Sequence, residues 1–267
     1  MRKRLGKKST ITSEQWKEAY ENAEKYVSRE EIDELVRRTI TRLRVVIMQR
    51  GYKRIGYGWS GGKDSLVAYK VLELAGIRTC SGIFVGFPTI FPSMLRWYKE
   101  KAPKNCVIRY ASRPTLKDIN ENIELLFPVE SNRYNTYLWD AQNQWKKEFD
   151  IDVMITGRRI IDDNFCGGKK NNYVVSNKYG DSFNIIADWS HEELLAFIKY
   201  YNIELPESYF YGEKWRFDTH GWTERYRLGE YPFTENFDEI FEIDKNILFD
   251  ARNELALADE YLKNRGL

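Results

Sequence analysis

Six consecutive residues, Ser60-Gly61-Gly62-Lys63-Asp64-Ser65, bring together the groups that grip a phosphate. Adjacent glycines let a main chain approach anionic oxygens with no Cβ in the way. Their N–H groups, and the N-terminus of a helix that follows, attract an anion. Ser60 and Ser65 add hydroxyl donors, and Lys63 adds a point charge. Asp64 is out of place beside a phosphate unless it caps the helix or helps to hold Mg²⁺. The stretch therefore reads as a pyrophosphate cradle, with a plain glycine turn before a helix as the alternative.

Two better-known phosphate loops do not fit. The Walker A pattern, aligned on Gly62-Lys63, places Tyr57 where its first glycine belongs and Asp64 where its Mg²⁺-binding hydroxyl belongs. Residues Gly56 to Gly61 match the dinucleotide pattern G-x-G-x-x-G literally. The next strand, however, runs into Pro88 and Thr89, with no acidic residue to hold a ribose hydroxyl.

Further candidates lie downstream. Gly157 leads into Arg158 and Arg159, which can clamp a phosphate or an anionic acceptor bidentately; their alternative is a surface ion pair with Asp162 or Asp163. Asp188 reads as a positioning residue. Trp189 can pack under a crevice or stack on a base. His191 reads as the first helical residue after a Ser190 cap. His220 lies in an irregular loop and is a general acid–base candidate. Cys166, in Asn164-Phe165-Cys166-Gly167-Gly168, is a loop thiol that could act as a nucleophile or accept sulfur.

The elements that must position these residues follow from pattern. Helices are expected over 14–27 and, from the Ser28–Glu31 capping box to a C-terminal glycine at Gly51, over 28–50. Strands are expected at 53–57, 81–87, 106–110, 152–156 and 183–187. Helices are expected at 65–74, from Pro92 to about 101, at 115–127, at 134–149 and from Ser190 to about 201. Strands alternating with helices predict a doubly wound, five-stranded parallel sheet with helices on both faces. Ligands of such sheets sit at the strand carboxyl ends. The loop at 60–65, Phe87–Phe91, Gly157-Arg158-Arg159 and Asp188-Trp189 should converge there. Beyond Pro206 the pattern changes to aromatic-rich loops and one helix at 238–263. Three domains are read: a basic arm with N-terminal helices at 1–40, a nucleotide-binding domain at 41–215 and a mixed C-terminal extension at 216–267.

At this point a family resemblance becomes visible. Ser60–Ser65 resembles the S-G-G-x-D-S motif of the PP-loop ATP pyrophosphatases, or adenine nucleotide α-hydrolases. Thr156-Gly157-Arg158-Arg159, and Ile185–Ser190 followed by Asn202–Pro206, are similar to segments of the phosphoadenosine phosphosulfate (PAPS) reductase and sulfate adenylyltransferase small-subunit branch. The likeness spans roughly residues 40–215. It implies a HUP-type Rossmann-like α/β fold and ATP as ligand, bound by Ser60, Gly61, Gly62, Lys63, Asp64, Ser65, Gly157 and Arg158. It implies Mg²⁺, with Asp64 a candidate ligand, and cleavage between the α and β phosphates. Lys63, Asp64, Arg158 and Arg159 would be catalytic, and an acceptor would be adenylated. The chain departs from the reductases because no cysteine follows Cys166. A reductase with an atypical thiol and a non-catalytic nucleotide-binding module stay open beside the adenylating enzyme.

Bulk properties set bounds. The 267 residues suffice for one sizeable α/β domain with appendages, and a net charge of +2 does not demand nucleic acid. The cationic arm Met1–Lys8 and the aromatic content of 15% leave a nucleic-acid acceptor open. Cys80, Cys106 and Cys166 form no C-x-x-C pair, so no iron–sulfur cluster and no zinc are expected. No membrane span and no signal-peptide pattern are read. The expectation is a soluble cytoplasmic protein that acts on ATP and an unidentified acceptor, alone, as a homo-oligomer or with a partner protein.

Overall fold

A computed structural model describes residues 5–7, 10–85, 92–110, 120–121, 133–210 and 234–267. The chain divides into two compact units. The first comprises residues 1–83, 103–107 and 143–216; the second comprises 84–102, 108–142 and 217–267.

Local signals set the N-terminal helices. Thr12 caps α1 (Ser13–Glu21) in a reciprocal capping box with Gln15. The helix expected through residue 27 breaks at Asn22, whose side-chain amide donates to the Glu18 carbonyl at 2.9 Å and draws the backbone out of helical geometry. A short α2 (Ala23–Tyr26) follows. Ser28 and Glu31 form the expected capping box of α3 (Arg29–Arg50), which Gly51 ends in the left-handed conformation at φ 68°. The apolar stripe of α3, including Ile32, Leu35, Leu43 and Val46, is buried.

The sheet strands are β1 (Ile55–Gly58), β2 (Cys80–Val85), β3 (Val107–Tyr110), β4 (Val153–Thr156), β5 (Val174–Asn177) and β6 (Gly180–Asn184). Their order is β3-β2-β1-β4-β6-β5, so the sheet has six strands rather than the five expected. β1 pairs in parallel with β2 and β4, and β4 with β6. The sixth strand, β5, pairs antiparallel with β6 across a tight turn. The fold is a Rossmann-like, mostly parallel α/β sheet flanked by helices. The order moves outward from β1 through β2 and β3, then restarts on its other side with β4. β1 and β4 therefore flank the topological switch point, where open α/β sheets form their ligand crevice.

α4 (Lys63–Ala75) follows β1 and packs on α3; α5 (Pro92–Lys101) follows β2, and α6 (Arg133–Glu148) precedes β4. α7 (His191–Tyr200), capped by Ser190 and Glu193 as expected, packs against α1–α4. The strand expected at 183–187 ends at Asn184. Ile185, Ile186 and Ala187 are wholly buried but form a turn, with Ala187 N–H donating to the Asn184 carbonyl at 3.2 Å. An apolar run marks burial, and burial alone does not make a strand. The helix expected at 115–127 lies outside the described residues apart from 120–121.

In the second unit, the single helix expected at 238–263 is three: α8 (Thr234–Asp244), α9 (Asn246–Ala251) and α10 (Ala256–Asn264). They pack on one another around Phe237, Ile240, Leu248 and Leu262. No helix among the described residues is long and apolar enough to cross a membrane.

Candidate functional site

The S-G-G-K-D-S segment joins the carboxyl end of β1 to the first turn of α4. Gly61 takes φ 72°, a left-handed conformation that a side chain would strain. Gly62 is the N-cap of α4 and makes no side-chain cap hydrogen bond. The loop is braced internally: Ser60 Oγ donates to Ser65 Oγ at 3.1 Å, and Ser65 Oγ donates to the Gly62 carbonyl at 2.9 Å. The buried Tyr57 hydroxyl donates to the Ser65 carbonyl. Trp59, 1% exposed, anchors the entry to the loop through its backbone N–H, which donates to the Gly82 carbonyl at 2.9 Å.

Gly157, at the end of β4, seats directly on α4. A Cβ there would lie 2.6 Å from the Asp64 carbonyl oxygen, a backbone atom that cannot step aside. This close approach delivers Arg159 to the loop. Its side chain is wholly buried, and Nε donates to Asp64 Oδ1 at 2.7 Å. Nη1 donates to the Ser190 carbonyl at 3.1 Å, and Nη2 lies 3.0 Å from Asp162 Oδ2. Nη2 also meets His191 Nδ1 at 3.1 Å. A guanidinium can only donate, so Nδ1 is the acceptor and the imidazole carries its proton on Nε2. Lys63, 1% exposed, closes the network, with Nζ 2.7 Å from Asp64 Oδ2.

This arrangement removes two of the alternatives left open above. Asp64 does not cap α4, because Gly62 is the N-cap. Each of its carboxylate oxygens instead faces a cation, Lys63 on one side and Arg159 on the other. Nor is the Arg159–Asp162 pair a surface pair: the two side chains are 0% and 9% exposed. Burial at that depth demands partners, because an unpaired charge out of water is strongly penalised. Arg158, by contrast, is exposed at the same turn.

The structure thus joins the loop at 60–65 to Gly157, Arg159, Asp162 and His191. Asp188 does not enter this group. It forms a two-pronged ion pair with Arg42 of α3, at 2.7 and 2.8 Å, and so ties the turn before α7 to α3. Trp189 packs: it is 1% exposed, its Nε1–H donates to Thr39 Oγ1 at 3.0 Å, and its ring meets Phe197 edge-on. Asp163 is exposed and pairs with Lys7. Cys166 is buried beside Tyr173 and Ala187, and loss of water pushes its thiol up to about 11. At neutral pH such a thiol is protonated and a poor nucleophile. Phe87–Phe91 and His220 lie outside the described residues.

Two participants were not legible in advance. His191 was read only as the residue after a cap, yet it touches Arg159. Tyr209, on the short 3-10 turn Glu207–Phe210, had no motif at all. Its hydroxyl accepts the Lys63 backbone N–H at 3.0 Å, and its ring lies 5.8 Å from Lys63 Nζ. The signal is tertiary: 146 residues separate the partners in sequence.

The chain was compared with known proteins. No family model matches it, and no curated protein does. Among solved structures it is similar to the U34-tRNA thiolase NcsA from Methanococcus maripaludis with its 4Fe-4S cluster. The identity is 14% and the TM-score 0.38, with 92% of this chain and 79% of that chain covered. One expectation is corrected here. The spacing of the cysteines was read as excluding an iron–sulfur cluster; a structurally similar protein carries one, and the exclusion is withdrawn.

Proposed function

We propose that the chain binds ATP in the loop at 60–65 and cleaves it between the α and β phosphates to adenylate an acceptor. One observation carries this reading. The S-G-G-K-D-S loop leaves the carboxyl end of β1 at the β1/β4 switch point and opens into an α4 N-terminus whose N-cap glycine has no side chain to cap it. Helix N-termini of this kind offer N–H donors and the positive end of a dipole to an anion.

In the proposed reaction an acceptor oxygen attacks the α phosphorus. The bond from that phosphorus to the bridging oxygen breaks, and pyrophosphate departs with the electron pair. Gly61, Gly62 and the first turn of α4 hold the leaving group, and Ser60 and Ser65 add hydroxyl donors. Lys63 and Arg159 offset its growing charge, and Asp64 keeps both cations in place between turnovers. Arg158, exposed at the same turn, would meet a phosphate or an anionic acceptor. Catalysis of this kind is mostly positioning and electrostatics. The resemblance to the PAPS reductase branch is kept as a likeness of motifs. The burial and raised pKa of Cys166 weigh against thiol-based reduction.

Calorimetric titration with ATP in the presence of Mg²⁺, paired with assays for pyrophosphate and AMP, tests the reading. Lys63→Ala should weaken ATP binding about 10- to 100-fold, the scale of a lost charge-assisted contact. Binding unaffected by loop substitutions, or products that are ADP and phosphate, would sink it. Tight ATP binding with no pyrophosphate release for any acceptor, nucleic acids included, would instead assign a nucleotide-binding module.

A further inference from the structure

We infer that the Tyr209 phenol holds the place of a ligand oxygen in the phosphate loop, so that Tyr209 gates the site and nucleotide binding displaces it. The inference rests on the reading of the loop as an ATP site and adds a regulator to it.

The first N–H groups of a helix have no partner within the helix, and a cap side chain serves only the second or third of them. The first, on Lys63, needs an acceptor from elsewhere, whatever residue stands at Gly62. The acceptor that reaches the Lys63 N–H comes from the Tyr209 hydroxyl, at 3.0 Å in buried surroundings. The same ring lies 5.8 Å from Lys63 Nζ, within the range of a weak cation–π contact. A single side chain therefore meets both the backbone donor and the ammonium that an anion in this loop would use. At 2% exposure it also keeps water from them.

A phenol is a weak stand-in. It is neutral, whereas a phosphate oxygen carries charge and makes a hydrogen bond roughly twice as strong to the same donor. The exchange therefore favours the nucleotide. Tyr209 is also carried on an element suited to moving. The 3-10 turn Glu207–Phe210 is a single short turn, entered through Pro206, with Tyr209 N–H bonded to the Pro206 carbonyl at 3.0 Å. Its last residue, Phe210, meets Tyr20 of α1 edge-on while remaining 41% exposed. Swinging this turn about Pro206 would part Phe210 from Tyr20 and take the phenol from the Lys63 N–H.

Calorimetry with ATP, and separately with inorganic pyrophosphate, on the wild type and Tyr209→Phe provides the test. The variant keeps the ring and removes the placeholder oxygen from the Lys63 N–H. Tyr209→Phe should bind both probes about three- to tenfold more tightly, the equivalent of one hydrogen bond no longer in competition. In the wild type, hydrogen exchange of the 205–210 peptide should speed up on adding ATP. Equal or weaker binding by Tyr209→Phe, with wild-type binding intact, overturns the placeholder and leaves the ATP reading standing. Unchanged or slower exchange over 205–210 in ATP-bound wild type does the same, and holds even if the variant folds poorly. Failure of both proteins to bind either probe overturns the ATP reading and this inference together.

Discussion

Two sets of ion pairs in this molecule look alike on paper and differ in kind. Around the loop, Lys63, Asp64, Arg159 and Asp162 form a chain of contacts at 2.7–3.0 Å, and their side chains are 0–15% exposed. In the C-terminal helices, Arg265 pairs with Asp238, and Lys263 and Arg252 pair with Asp259, with exposures of 28–66%. The exposed set stays in water whether paired or not, so its pairing adds little. The buried set has surrendered its water, so each member depends on the others. A buried network of this sort is weak evidence of net stability, since an apolar cluster of equal volume would often do as well. What it supplies is position: two cations held ready at a helix N-terminus.

The sharpest way to break the comparison is to remove one member of the buried set. Arg159→Met should destabilise the protein by about 3–5 kcal/mol in urea unfolding, because Asp162 loses the guanidinium it pairs with and Asp64 loses one of its two cations in a dry setting. Gly157→Ala comes next. Its Cβ would meet the Asp64 backbone, and the strain should cost about 1–3 kcal/mol and lower ATP affinity as the loop shifts. A smaller, pH-dependent effect belongs to the thiols. Burial pushes Cys166 up to about 11 and Cys106 up to about 12. Both therefore stay protonated in the folded chain above the pH, about 8.5, at which an unfolded thiol ionises. Their contribution is complete below that pH and is lost as pH rises toward the folded values. Melting curves from pH 8 to 11 should fall less steeply in the Cys106→Ala, Cys166→Ala double variant than in wild type. Smallest of all, Arg265→Ala should melt within error of wild type. A large loss there would mean that exposure does not separate the two sets.

Much of the positioning framework was readable in advance. The capping box at Ser28–Glu31, the Ser190 cap and the terminal glycine Gly51 are short-range devices, and each appears in place. The S-G-G-K-D-S segment was readable as a strand-to-helix turn for the same reason, since its residues are contiguous. What escaped was set by contacts across the fold. β5 was missed because its four residues alternate only weakly. Its hairpin depends on a turn in which Asn177 Oδ1 accepts the Tyr179 N–H and Gly180 takes φ 99°. The C-terminal region reads as one helix because Lys245, at the first break, and Arg252, at the start of the second, keep helical dihedrals and carry no breaker signal. Tyr209 and His191 were invisible as site residues because tertiary packing alone brings them to Lys63 and Arg159.

Lys63 has one more property. A primary amine with 1% exposure is out of reach of acylating reagents that modify surface lysines freely. Its modification in ligand-free protein must wait for the loop to open of its own accord, so the rate of acylation at this residue counts those openings. The lysine proposed to grip the phosphate would thereby also serve as a clock for its own site, readable by mass spectrometry before any acceptor is known.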